Sequence, residues 1–385
     1  MRIVGPHCCG NCRYDSPVPP AQSIHRIGLL TGGGDCPGIN AVIRAVTKTA
    51  IFQHNLRVFG IEDGFQGLLE NRLRELAASD VSGILTLGGT ILGATNKCDP
   101  SRVFAGNDAG GAPTFVNKIN LCLQTIRNHE LDALIVVGGD GTMNCAAPFV
   151  QAGVRCIGVP KTIDNDIVGT DITFGFTTAY TTATLSLDRL HSTAASHHRV
   201  MVCEVMGRNA GWLALHAGVS SGADVILIPE IPYDINSVCR FVESRRARPT
   251  GFSIVVVAEG AKPIGGAPLV TKVDPTNADP IKLGGIGEHL AAQIGELTGL
   301  ETRITVLGHV LRGGPPVAAD RILATRFGHH AMQLLMSGAH GRMVVMHQGE
   351  LDSINLLHVA NKQRLVPRDH PLIATARAVR TNFGD

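Results

Sequence analysis

Short apolar runs recur along the chain, several ending in a glycine cluster and most followed by a stretch with helical spacing. "RIGLLT" (26–31) predicts a strand, and the amphipathic stretch after it predicts a helix starting near Pro37, a residue suited to a first helical turn. "LRVFGI" (56–61) predicts a second strand and "VNKINLCLQTIRNHE" (116–130) a helix. "LDALIVVGG" (131–139) and "VRCIGV" (154–159) lack polar alternation, as strands covered on both faces do. Next, "FTTAYTTATLSLDRLHSTAA" (176–195) reads as a long helix, and "VMVCEVM", "ADVILIP", "FSIVVVAEG", "TRITVLG" and "RMVVMHQ" as further strands. This alternation predicts an α/β protein of two doubly wound, parallel-sheet domains. One is expected over residues 24–175 with about 312–361, the other over 176–311 with about 362–385, and residues 1–23 form an N-terminal extension.

Composition narrows the class. A length of 385 residues suits two domains, and 44% hydrophobic against 17% charged residues excludes a disordered chain. The 34 basic residues are matched by 32 acidic ones and form no run, so there is no nucleic-acid footprint. No apolar stretch approaches the roughly 18–20 residues of a membrane span, and "MRIVGPHCCGNCRYDSPVPPAQ" lacks the apolar centre of a signal peptide. A soluble, cytoplasmic protein is expected. Most cysteines have no paired spacing, which fits reduced thiols. His7, Cys8, Cys9 and Cys12 could form a zinc site, but adjacent cysteines suit one tetrahedral ion poorly, and a plain extension is preferred.

The glycine clusters matter more, because loops at the C-terminal ends of parallel strands are where such sheets bind ligands. "GGGDCPGIN" (32–40) offers backbone N–H groups ahead of a helix, a natural anion site. In "VVGGDGT" (136–142) two glycines allow phosphates close to the backbone, and Asp140 stands where a carboxylate can hold Mg²⁺ on them. "PKTIDND" (160–166) places Lys161, Asp164 and Asp166 at the end of an apolar strand. "MGRNAG" sets Arg208 between glycines, and "RITVLGHVLRGG" places Arg303, His309 and Arg312 around one strand end, where arginines can grip a phosphate ester. Neither "GxxxxGK[ST]" nor "GxGxxG" after the first strand occurs, which argues against the usual phosphate loop and a dinucleotide-binding dehydrogenase.

Taken in order, "GGGDCPGINAVIR", "GGTILG", "GGDGT", "PKTIDNDI", "TFGFTTA", "EVMGRNAGWLAL", "VVVAEG" and "ETRITVLGHVLRGGPP…ADR" resemble the phosphofructokinase family over about residues 24–385. The resemblance implies phosphoryl transfer to the 1-hydroxyl of fructose 6-phosphate, a step of glycolysis, at an active site in the cleft between the two domains. The first domain would bind the donor phosphates and the second the sugar phosphate. Asp164 would be the base, with Asp166 positioning the hydroxyl or the metal, Thr162 hydrogen-bonding phosphoryl oxygens and Arg208 steadying the transferring group. Asp140 would hold Mg²⁺, and Gly33, Gly139, Gly141, Thr142 and Lys161 would line the donor phosphates. Met206 and Gly207 would shape the sugar pocket, Glu259 would read sugar hydroxyls, and His309 and Arg312 would bind the 6-phosphate. Arg199 and Arg303 would reach that phosphate from a neighbouring subunit, implying a homodimer or homotetramer with sites completed across subunits.

Several positions depart from, or divide, the family. Where many members carry an arginine after "GGTxLG", this chain has Asn96, with Lys97 beside it. On the first helix, Arg44 and Lys48 only partly match the effector-binding basic residues of regulated bacterial members, and an ordinary exposed helix face accounts for them equally well. Gly141 leaves room for the α-phosphate of ATP where pyrophosphate-dependent members carry aspartate, while Lys161 is the residue those same members carry. ATP is the expected donor, with pyrophosphate the alternative. An NAD- or lipid-type "GGDGT" kinase would have no reason for "TIDND" or "GHVLRGG". A catalytically dead regulatory subunit would be expected to lack Asp164, Asp140 or Arg208, which are all present.

Overall fold

The structure is a computed structural model that describes residues 24–246, 251–274, 276, 280–360 and 362–385. The expectations for residues 1–23, extension and zinc alike, lie outside the described residues.

Two sheets organise the chain. The larger runs in the order Glu350–Asn355, Arg342–His347, Arg155–Thr162, Ala133–Gly138, Arg26–Thr31, Arg57–Ile61, Leu73–Leu76, and Phe174–Gly175 adds a short pairing to Lys161–Thr162. Its five central strands are parallel, but both edges are antiparallel, where the sequence reading had expected parallel strands throughout. The edges differ for a physical reason: Glu350–Asn355 returns through a tight turn and Leu73–Leu76 after the short helix Phe65–Leu69, and neither connection makes the long crossover a parallel neighbour needs. The smaller sheet, Val225–Leu227, Ser253–Ala258, Val200–Val205, Thr302–Val306, is wholly parallel.

Burial explains why these segments form strands. Every residue of Ala133–Gly138, Val200–Val205 and Ser253–Ala258 is buried, so each is covered on both faces. Helix Ile39–His54 packs with Ala318–Met336 on one face of the larger sheet. Gly38 and Asn55 flank the former in the left-handed region, so it starts after Pro37 rather than at it. The predicted helix over 116–130 is shorter, Ile119–Asn128. Val116 instead closes a hairpin of Val103–Asn107 and Pro113–Val116 that the apolar pattern does not signal.

Helix Phe176–His197 runs from the larger sheet to the smaller one. At its start, Asp320 Oδ2 accepts from the N–H (2.7 Å) and hydroxyl (2.5 Å) of Thr178, a buried carboxylate at a helix N-terminus. The C-terminal residues dock on the smaller sheet: Asn382 bridges Val225, and helix Pro371–Ala378 packs on Trp212–Ser221. Among the described residues no helix is long and apolar enough to cross a membrane. The seven cysteines they include are all free.

Candidate active site

In each sheet the strand order reverses beside the strand that the chain lays down first: between Arg26–Thr31 and Ala133–Gly138 in one, between Val200–Val205 and Thr302–Val306 in the other. Loops separate at such a point and leave a crevice. Gly32, Gly33 and Gly34 leave the first crevice from Thr31, and Gly139 and Asp140 leave it from Gly138. Gly33 has φ +75°, and a β-carbon there would lie 3.3 Å from Thr142 Oγ1 and 3.6 Å from Lys161 Nζ. Glycine is therefore needed both for the turn and for the approach.

Thr142 is buried over Gly138 and Gly32. Asp140 is the first residue of helix Asp140–Gln151, with Gly139 as its extended N-cap. At Gly141, by contrast, an added β-carbon would meet nothing within 4 Å, so the second position of this helix faces open space.

Strand Arg155–Thr162 runs three residues further than the apolar run predicted, so Lys161 and Thr162 are strand residues and the acidic loop begins after them. Lys161 is buried and its ammonium donates to the Gly34 carbonyl. Burial holds its pKa below the ordinary lysine value. Thr162 Oγ1 accepts from the Asp164 N–H (3.0 Å), and Asn165 turns the loop with φ +53°. Asp164 Oδ1 is enclosed with no hydrogen-bond partner among the described residues. Burial raises the Asp164 pKa, Asp140 raises it further, and Arg312 and Lys161 oppose the rise. Asp166 is pushed up to about 8 by burial and then by Asp164 and Asp140. Three carboxylates thus lie close together, two of them buried, and full ionisation is unfavourable without added cations.

The smaller sheet supplies the opposite wall. Met206 is buried, Gly207 has φ +133°, and the Arg208 carbonyl lies so close to Gly260 that a β-carbon there would clash with backbone at 1.8 Å. That contact sets the Met206–Gly211 turn against Glu259. Burial first, then Asp164 and Glu204, pushes Glu259 up to about 7, while Arg312 and Arg208 pull it down. Arg312 reaches across the cleft, its Nη1 donating to the Asp35 carbonyl (3.2 Å).

The structure does not bring Arg303 to Arg312, as the sequence reading expected of one strand end. Arg303 lies near the start of Thr302–Val306 and pairs in register with Met201, whereas His309 and Arg312 follow the end of that strand. Arg199 precedes Val200, and Arg199 and Arg303 both contact Glu301, the former at 2.9 Å. His309 is exposed on the turn Gly308–Arg312. Asn96 and Lys97 are exposed beside the glycine loop, where Gly33 N–H donates to the Thr95 carbonyl (3.1 Å). Arg44 and Lys48 are half-buried on the first helix.

One contact had no sequence signal. Gln363 Nε2 donates to Asp140 Oδ2 (3.3 Å) from a segment more than two hundred residues away that carries no recognisable motif.

Comparison with known proteins agrees with this geometry. A sequence profile described as phosphofructokinase matches residues 26–335. The chain is 47% identical to "ATP-dependent 6-phosphofructokinase 2" of Clostridium perfringens, over 94% of this chain and all of the relative. It is 49% identical to "ATP-dependent 6-phosphofructokinase" of Spirochaeta thermophila, over 93% of this chain and 97% of the relative. Among solved structures, Pichia pastoris phosphofructokinase in the T-state superposes with a TM-score of 0.73 at 31% identity over 94% of this chain, which spans 36% of that longer chain. The matched profile, the near-complete likeness to these relatives and the two facing strand-end crevices place the chain in the phosphofructokinase family.

Proposed function

We propose that the chain transfers the terminal phosphoryl group of ATP to the 1-hydroxyl of fructose 6-phosphate, giving fructose 1,6-bisphosphate, in the cleft between a donor-binding domain (24–175 with about 312–361) and a sugar-binding domain (176–311 with about 362–385). The observation that carries this reading is the facing of two strand-end crevices: Asp140, Lys161 and Asp164 on one side, Glu259 and Arg208 on the other, with Arg312 spanning them. Gly141 supports a nucleotide donor, because the second helical position opens into the space beside the glycine loop.

The residues divide the work as follows. Gly33, Gly139, Gly141 and Thr142 line the donor phosphates, and Lys161 adds positive charge beneath them. Among the described residues no group of three or more metal-binding side chains forms a cage. A single carboxylate at a helix start is nevertheless what Mg²⁺ requires when it travels mainly on phosphate oxygens. Asp140 fits that part, and the metal would neutralise charge building on the leaving oxygen.

Asp164 accepts the proton of the 1-hydroxyl as O1 bonds to the terminal phosphorus and the bond to the bridging oxygen breaks, releasing ADP. Its raised pKa makes it a stronger base than an exposed aspartate, and its unpartnered Oδ1 is free to receive that proton. Asp166 and Thr162 hold the loop and the hydroxyl in line, and Arg208 steadies the moving phosphoryl. Glu259, Met206 and Gly207 contact the sugar, and His309 and Arg312 take its 6-phosphate. Arg199 and Arg303 complete that phosphate site on a neighbouring subunit of a homodimer or homotetramer, and the enzyme works in the cytoplasm.

Lys161 favours a second reading, transfer from pyrophosphate, since it adds charge where a small polyanion would lie. The test is a donor comparison with purified protein, Mg²⁺ and fructose 6-phosphate, reading fructose 1,6-bisphosphate formed with ATP or with pyrophosphate. Turnover with ATP and little with pyrophosphate is expected. Faster turnover with pyrophosphate overturns the donor, and none with either overturns the reaction.

A further inference from the structure

Residues 362–366 cross the cleft without belonging to either sheet. Gln363 bridges Ile167 in antiparallel fashion while its side chain reaches Asp140. The Arg364 N–H donates to the Asp166 carbonyl (2.7 Å), and Arg364 Nη1 donates to the carbonyls of Asn165 (3.2 Å) and Asp171 (3.0 Å). One guanidinium thus ties together the two ends of the loop that carries the acidic residues. Its Cζ also lies 4.3 Å from the centre of the Trp212 ring, and Trp212 Nε1 donates back to the Arg364 carbonyl (2.8 Å).

Trp212 opens its helix directly after the Met206–Gly211 turn. Glu230 fastens the same joint a second time, accepting from Val366 N–H (2.8 Å) and Gly211 N–H (3.0 Å). The two loops therefore meet through Arg364 and Trp212, although they come from different sheets. Only a planar, multiply donating cation can serve two carbonyls at its edge and an indole at its face.

We propose that Arg364 is a positioning residue that clamps the acidic loop to the Met206–Gly211 turn, holding Asp164 in register with Arg208 across the cleft. The proposal rests on the reaction assigned above. Displacement of reacting groups by about 1 Å can cost on the order of a hundredfold in rate. A strap that merely adds stability would affect only the amount of folded protein.

The test uses the full chain with Arg364→Ala and Arg364→Lys, the latter keeping the charge but not the edge-and-face geometry. Both should lower kcat per folded molecule by roughly ten- to a hundredfold while KM for each substrate stays within about threefold. Amides in both 165–171 and 206–211 should exchange with deuterium faster. Emission from Trp212, the chain's one tryptophan, should shift. A lower melting temperature with kcat within about twofold of wild type in both variants would overturn the clamp. If the wild type does not phosphorylate fructose 6-phosphate, the functional reading fails alone. Exchange still decides the clamp, and it falls if removing Arg364 leaves 206–211 unchanged. Should the Arg364 variants not fold, Trp212→Phe keeps an aromatic face for the guanidinium but loses the Nε1 donor and part of the indole's area. An unchanged kcat and unchanged exchange in that variant would equally overturn the proposal.

Discussion

At the scale of single residues the site is a balance of buried charge. Asp140, Asp164 and Asp166 face Lys161 and Arg312, and burial sets the Asp166 pKa near 8. Protons on such neighbours belong to the cluster rather than to one residue. An unfolded aspartate titrates near 4. Between about pH 4 and pH 8 the folded chain therefore holds a proton that the unfolded chain releases, and stability falls as pH rises through that window. Asp166→Asn removes the liability. It should raise the melting temperature at pH 8 by roughly 2–4 °C, with a smaller gain at pH 5, while kcat falls. Calorimetry of protein free of nucleotide and metal reads this directly. A gain that is larger at pH 5 than at pH 8 would contradict the assignment of the raised carboxylate.

At the scale of elements, the helix Asp140–Gln151 provides the test of the donor. Its second residue faces open space, and a carboxylate at a helix start is electrostatically favourable. Gly141→Asp should consequently fold as well as the wild type, with a melting temperature within about 1–2 °C. Its side chain would nonetheless occupy and repel the α-phosphate, so kcat/KM for ATP should drop at least about a hundredfold. Loss of that activity with a collapsed melting temperature would mean a folding defect instead, and retained activity would remove the steric argument. The same elements explain what could be read from the chain. Fully apolar strands such as "ALIVVG" and glycine clusters at their ends are local signals, so both strand-end crevices and the glycine loops lining them were legible. The strap 362–366 was not, because Gln363 and Arg364 act through partners some 150 to 220 positions away in the chain, and a lone Gln–Arg pair has no period. The hairpin at 103–116 escaped for a related reason, since its exposed strands carry no buried face to impose alternation.

At the scale of the whole molecule, the position of two arginines bears on whether a second chain completes each site. Arg199 precedes the first residue of Val200–Val205 and Met206 follows its last, so a strand of about 3.3 Å per residue separates Arg199 from the sugar turn of its own subunit. Arg303 sits at the same distant end, in register with Met201. Both contact Glu301, with Arg303 exposed and Arg199 half-buried, so this basic patch lies at the strand end away from the cleft. If that patch completes the 6-phosphate site of a neighbour, Arg199→Ala should raise KM for fructose 6-phosphate and spare KM for ATP, a charged contact being worth about 1.5–3 kcal/mol. Asp164→Asn should abolish turnover in its own subunit. In a closed symmetric assembly each site of a mixed pair draws its base from one chain and its arginines from the other. Exchanging equal amounts of the two variants should then rebuild intact sites and recover about a quarter of wild-type activity at low fructose 6-phosphate. Proven subunit exchange with no recovery would confine each site to a single chain and leave Arg199 and Arg303 without a role in phosphate binding.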